Sequence, residues 1–314
     1  MSATPEAARP LVTSETPDQR GPIGRPRAGR WRRLSEDVRR TPSALVGLVI
    51  VGVFLILAAI GPYVAPYPSS EMVISNKFAR PSLEHPFGTD AFGRDVFSRV
   101  IAGARLSFLL AAAATLFAIA LGTPLGLIAG YARGWIDEVL MRLTDALLAL
   151  PSIILALVIV TTLGSSTLNV VLAVGVVYAP RIARVVRSGT LALRDQEFVQ
   201  AARARGESSR YIIFSEILPN TIAPLIVEAS IRMGFAILLA TSLSFLGLGA
   251  SPPAPDWGLM INEARLQIFR APWLTIFPSI AIALTIVGFN LLGDGIRDIL
   301  DPRRVWTERK SEGV

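Results

Sequence analysis

Apolar runs of about 20 residues, the length needed to cross a bilayer as a helix, recur along this chain and leave few folds open to it. They fall at roughly 43–60, 106–130, 142–163, 168–187, 220–248 and 273–292. In lipid every backbone polar group must be satisfied within the segment, so runs of this length read as helices. The expected fold is therefore an all-α integral membrane protein with six transmembrane helices. Pro180 and Arg181 interrupt the inner end of the fourth run, which makes it the weakest of the six.

Composition agrees. Of 314 residues, 52% are hydrophobic and 18% charged, against about 25% charged in soluble domains. Mean hydropathy is +0.51. There is no cysteine, which excludes a disulfide framework, thiolate metal sites and a Cys nucleophile. His85 is the single histidine, so a His-cluster metal site is excluded as well.

Positive charge sets the orientation. With the amino terminus inside, 23 Lys and Arg fall on the inner side and 7 on the outer, with Arg232 inside a span. Both termini are then expected in the cytoplasm, which makes the net charge of +7 topogenic rather than a sign of nucleic-acid binding. Residues 1–33 lack apolar periodicity and read as a disordered cytoplasmic tail. Residues 34–100 read as an amphipathic entry helix, the first span and a long outer loop; 101–300 as a five-helix core; 301–314 as a second tail. The first run is longer than a signal-peptide apolar region and lacks a small-residue cleavage site after it, so it is expected to be retained.

One polar segment stands out between the fourth and fifth runs, EFVQAARARGESSRYIIFSEILPN at 197–220. Glu197 to Arg205 are good helix formers and are expected to continue the fourth span. Gly206 can take the left-handed conformation that ends a helix. Ser208 or Ser209 can cap a second short helix over 209–216, running across the membrane plane before Pro219 opens the fifth span. That helix is expected to expose Tyr211, Ile212 and Phe214, an apolar face suited to a soluble partner.

The spacing of Ala201, Ala202, Gly206, Leu218 and Pro219 resembles the EAA loop of importer permeases in the ATP-binding cassette (ABC) superfamily. Gln200 and Glu216 depart from that pattern, standing where the family has Glu and Ile. Further resemblance lies in His85–Asp90, Gly93–Arg99, Gly130–Asp137, Ser244–Gly249 and Asn290–Arg303. Together these are similar to the second, C-type permease of dipeptide, oligopeptide and nickel importers. The resemblance implies a type I importer permease fold in the cytoplasmic membrane. It implies a second homologous permease subunit, two ATPase subunits that hold ATP and Mg, and an extracytoplasmic substrate-binding protein. It makes Gln200, Ala201, Ala202, Gly206, Ser209, Tyr211, Ile212, Phe214, Leu218 and Pro219 the ATPase-coupling residues. No cofactor is expected in this chain. Peptide is the expected cargo, with nickel or another small solute as the alternative.

Other features have plainer readings. The chain has no Gly-x-x-x-x-Gly-Lys-Ser/Thr loop, so it is not expected to hydrolyse ATP. The glycines from Gly122 to Gly130 lie within a span and read as close helix packing. The charged outer stretch 85–105 reads as a salt-bridged interfacial helix, with His85 in a turn. Glu228 and Arg232 lie four apart on one helix face and read either as a pathway or gating pair or as a structural bridge. An ion-coupled secondary transporter would need more intramembrane acids than this one pair supplies. A membrane enzyme would lack a catalytic constellation.

Overall fold

The computed structural model describes Val38 and residues 41–300. The expected tails at 1–33 and 301–314, and all of the expected entry helix except Val38, lie outside the described residues. Among the described residues the fold is all-α, with one isolated Thr89–Asp95 bridge. In order, the helices are α1 Pro42–Val64, α2 Val96–Ala132, α3 Gly134–Ala149, α4 Ser152–Leu163, α5 Thr167–Leu193, α6 Glu197–Ala204, α7 Ser209–Tyr211, α8 Leu218–Phe245, α9 Trp257–Ala264 and α10 Trp273–Leu300.

Five helical runs are long and apolar enough to cross a membrane: Pro42–Gly61, α2, α5, the run Ser209–Phe245, and α10. The third expected span, 142–163, is not one helix. It is the bent pair α3 and α4, which meet at 94°. Pro151 disfavours helical backbone at the residue before it, and Leu150 is accordingly extended, at φ −85°, ψ 137°. α4 has 12 residues, about 18 Å of helix, which cannot cover a hydrocarbon core of about 30 Å alone. α3 carries the charges and is tied to α5: Arg187 donates to both Asp137 oxygens at 2.5 and 2.6 Å, and Arg184 pairs with Asp145 at 2.5 Å. Among the described residues five helices are thus long and apolar enough to cross, and six spans are present if the bent pair counts as one.

The centre of the bundle is the α2–α5 contact. A Cβ on Gly175 would meet Phe117 and Ala114, one on Gly122 would meet Ala179 and Ile182, and one on Gly130 would meet Thr190. Numbers rise together on both helices, so the two run parallel. Gly122, Gly126 and Gly130 repeat every fourth residue and form one stripe, the small-residue seam that lets helix backbones approach. There is no room for a side chain there: a Cβ at Gly122 would lie 2.5 Å from the Ala179 carbonyl oxygen, and one at Gly130 would lie 2.6 Å from Thr190 Cβ. α10 runs antiparallel to both of its neighbours, with Gly47 of α1 against Leu292, Ala44 against Gly295, and Gly234 of α8 against Phe289.

At the end where α2 begins, the 65–95 loop and α9 close over the bundle. Asp95 caps α2 by accepting from the Ser98 amide at 2.7 Å and also meets His85 Nδ1 at 2.9 Å. The His85 carbonyl accepts from Ser82 and Gly88 amides, which gives it the expected turn role. Arg94 and Arg99 are salt-bridged and buried within the protein, each 1% exposed. Arg94 joins Asp90 at 2.5 Å and Glu263 of α9 at 2.7 Å. Arg99 donates to the carbonyls of Ser69, Pro253 and Ala254 at 3.0, 3.2 and 3.3 Å. Trp257, fully buried, donates to the Val100 carbonyl at 2.9 Å. One arginine pair therefore stitches the loop, the first turn of α2 and α9 together.

Two outcomes are expected in detergent unfolding measurements. Gly126→Leu overpacks the seam and should cost at least about 1–3 kcal/mol, whereas Gly52→Leu, with nothing within 4 Å of its Cβ, should leave the midpoint unchanged. Arg94→Leu leaves Asp90 and Glu263 only their longer contacts to Arg99, at 4.0 and 3.7 Å, and should cost about 3 kcal/mol, the lower end for a broken buried pair; a midpoint like that of the unaltered chain would show that the stitch is not structural.

Candidate functional site

The segment 194–219 hangs from the end of α5, and its entry is fixed by charge. The Arg194 amide still bonds the Thr190 carbonyl at 2.9 Å, while its guanidinium donates to the Tyr131 carbonyl at the end of α2, also at 2.9 Å. Arg133 pairs with Asp195 at 2.8 Å. The Arg194 hydrogen bond, with Arg133 beside it, holds the Asp195 carboxyl below the usual carboxylate range. The helix breaks here. Gln196 is extended, and α6 starts afresh at Glu197 rather than continuing the fourth span as expected. Gln200 bridges the break by donating from Nε2 to the Asp195 carbonyl at 3.0 Å. A neutral amide donor does this where the family pattern carries a carboxylate, which could only accept.

α6 packs Val199 and Ala202 inward, both 0% exposed, and leaves Ala201 exposed. Gly206 then ends it at φ +80°. The Glu207 amide bonds back to the Ala202 carbonyl at 3.2 Å, and the Gly206 amide to Arg203 at 2.9 Å. These paired bonds are a Schellman stop. The residue spacing therefore has a physical cause: the carbonyl of the second Ala is the one the turn must reach. Ser208, not Ser209, is the cap of the next helix, accepting from the Tyr211 amide at 3.3 Å.

That next helix differs from the expectation. Instead of a separate helix across the membrane plane, α7 passes through a π-helical stretch, Ile212–Ile217, directly into α8. The Leu218 amide reaches back five residues to the Ile213 carbonyl. Pro219 has no N–H to continue an α ladder, and the wider turn precedes it.

The exposed apolar face is also different. Tyr211 and Phe214 are 42% and 62% exposed, but Ile212 is 1% exposed and belongs to the core with Ile217. On a helix, residues three apart share a face and adjacent residues do not. Phe198 on α6, 38% exposed, adds an aromatic that the motif alone did not single out. Glu216, the second departure, has a partner: Arg205 reaches it at 3.7 Å across the turn, so the pair ties the two limbs of the knob. Leu218 is partly buried and Pro219 exposed.

Further along α8, Arg232 donates to Glu228 at 2.6 Å, one turn apart, both side chains 14% exposed. Arg232 borders a cleft of about 500 Å³ between α4, α5 and α8, lined also by Ser152, Tyr178, Arg181, Phe235 and Ser242 among others. The guanidinium of Arg232 lies 5.2 Å from the Phe235 ring centre and 5.8 Å from that of Tyr178. An unpaired arginine facing lipid at the bilayer centre costs about 2.5–3.5 kcal/mol on insertion scales; here Arg232 is paired and lines a recess of mixed aromatic, aliphatic and polar groups.

Residues 122–306 match the family described as the binding-protein-dependent transport system inner membrane component. Residues 29–81 match the N-terminal TM domain of oligopeptide transport permease C. The dipeptide transport system permease protein DppC of Alkalihalophilus pseudofirmus is 45% identical over 95% of this chain and 98% of its own length. The glutathione transport system permease protein GsiD of Escherichia coli O6:K15:H31 is 44% identical over 94% of this chain and 95% of its own. In structure, the MetNI methionine ABC transporter in inward-facing conformations aligns with a TM-score of 0.53 at 17% identity, covering 65% of this chain and 97% of that one. That likeness speaks to the fold. The chain accordingly belongs to the binding-protein-dependent transport system inner membrane component family, with the N-terminal domain of oligopeptide permease C and a type I ABC importer permease fold.

Proposed function

We propose that this chain is one of two permease subunits of an ATP-driven importer that carries peptides across the cytoplasmic membrane. Both termini and the 194–219 knob face the cytoplasm, as the 23-to-7 distribution of basic residues favours. Two ATPase subunits hold ATP and Mg and dock on the knob. A second, homologous permease completes the pathway, and an extracytoplasmic binding protein delivers the cargo.

The observation that carries this reading is the knob itself. It is a rigid turn with a Schellman stop, a serine cap and an ion pair, and it presents Tyr211 and Phe214 to solvent. Ordered aromatics on a short projecting element are what a groove on a soluble partner binds best. Its limbs connect to α5 and α8, the two helices that flank the cleft, so movement of the knob reaches the cleft walls. Arg232 lines one wall, paired to Glu228 one turn away, and the pair serves as pathway lining or gate.

Peptide is favoured over nickel by the names of the relatives and by the chemistry of the cleft. Arg181 and Arg232 both line it, with Glu228 balancing only one of them. A desolvated divalent cation would be repelled there, whereas a zwitterionic or anionic peptide would not.

Vesicles holding the whole complex should take up dialanine with ATP, and should stop when ATP is removed while ion gradients are kept. Uptake driven by the gradient alone would refute the primary-active reading. In the same assay Gly206→Val should strain the turn by about 1–2 kcal/mol, and so lower the population of the docked turn and coupled uptake roughly 5–30-fold. Its Cβ would enter open space, so assembly of the transmembrane bundle should persist. Phe214→Ala should weaken ATPase binding about 30-fold or more, the size of an interface hot spot; co-purification at the unaltered affinity would remove Phe214 from the interface.

A further inference from the structure

The cleft between α4, α5 and α8 contains one charge that the fold does not use. Arg232 is answered by Glu228. Arg181, half-buried on α5, has no carboxylate at ion-pair distance among the described residues. Its guanidinium makes one long hydrogen bond, 3.4 Å to Ser152 Oγ, and lies 5.6 Å from the Tyr178 ring centre. The neighbouring hydroxyls are committed elsewhere: Tyr178 donates to the Phe235 carbonyl at 3.1 Å, and Ser242 to that of Leu238 at 2.8 Å. What remains facing the recess is a forked donor with most of its N–H groups unengaged, above an aromatic floor formed by Tyr178 and Phe235.

A guanidinium at membrane depth needs water or an anion before it. The planar fork matches a carboxylate in two parallel hydrogen bonds. The recess, at about 500 Å³, is of the size that holds small organic ligands. Free peptides present one group of this kind at a fixed place, the C-terminal carboxylate.

We propose that Arg181 is the carboxylate subsite of the pathway. It takes the C-terminal carboxylate of a passing peptide while the adjacent side chain rests on Tyr178 and Phe235. Ser152, at the bend between α3 and α4, steadies the guanidinium. The recess is open on one side, so the hold is partial, and a pathway site must also release what it binds. This inference rests on the peptide-importer reading and adds to it where, and by which group, the cargo is held.

The test uses the complete complex in vesicles with its binding protein and ATP. Two peptides are compared, alanyl-phenylalanine and its C-terminal amide, each first confirmed to bind the binding protein. Arg181→Gln should lower the ratio of acid to amide uptake about tenfold, the size of one charge-assisted hydrogen bond at a partly wet site, while complex assembly and ATP hydrolysis persist. Arg181→Lys, which keeps the charge and loses the fork, should fall between the two. An unchanged ratio overturns the proposal. So does an equal fall for both peptides, which would mark a contact with a lipid phosphate or a purely structural role. If the unaltered complex takes up neither peptide with ATP, the peptide-importer reading fails first, and the subsite with it.

Discussion

The contact between α2 and α5 is the constraint from which the remaining architecture follows. Two parallel helices pressed backbone to backbone along Gly122, Gly126 and Gly130 need a segment that brings the chain back from the end of the first to the start of the second. α3 and α4 are that return. Because the seam leaves no space between its helices, the return lies outside it. There α3 is bound to α5 by Asp137 and Asp145, and α4 diverges at the Leu150–Pro151 bend. The bend places Ser152 at the wall of the cleft. The same parallel arrangement brings the ends of α2 and α5 side by side, which lets Arg194 hydrogen-bond the Tyr131 carbonyl and fix the direction in which the knob leaves the bundle.

The two ends of the molecule use charge differently. At the end closed by α9, Arg94 and Arg99 are buried and fully engaged with carboxylates and carbonyls. Removing one partner there leaves others stranded in a low dielectric, so the network acts as a structural clasp. At the knob the pairs are exposed or partly so, as with Arg133–Asp195 and Arg205–Glu216, and each contributes little to stability. They orient the knob rather than hold it. Between the two ends, Arg181 is left with neither function.

Much of this was legible in the sequence because it rests on local rules. The long apolar runs mark the spans. Gly206 and the serine pair at 208–209 announce a helix stop and a helix start through backbone chemistry that needs no tertiary context. Glycines four residues apart on an apolar run announce a packing seam. The failures have physical causes too. A proline between two apolar runs leaves hydropathy untouched, so 142–163 reads as one straight run, whereas Leu150 is extended and the segment bends there. Ile212 was grouped with Tyr211 and Phe214 by apolarity, whereas helical periodicity turns it to the core. The partners of Gln200 and Glu216, a carbonyl five residues away and an arginine across a turn, depend on a fold that no linear pattern displays.

The glycine seam also has a consequence in time. Its two halves are separated by everything between Ala132 and Thr167, and parallel helices cannot pair until the return segment has been made. At typical synthesis rates of about 5–20 residues per second, those intervening residues occupy roughly 2–7 s. During that interval α2 stands in the membrane with its groove of bare backbone facing lipid or whatever other helix is near. A contact that leaves no room for a side chain in the finished protein therefore waits, while the protein is being built, on the segment that must first be made between its two halves.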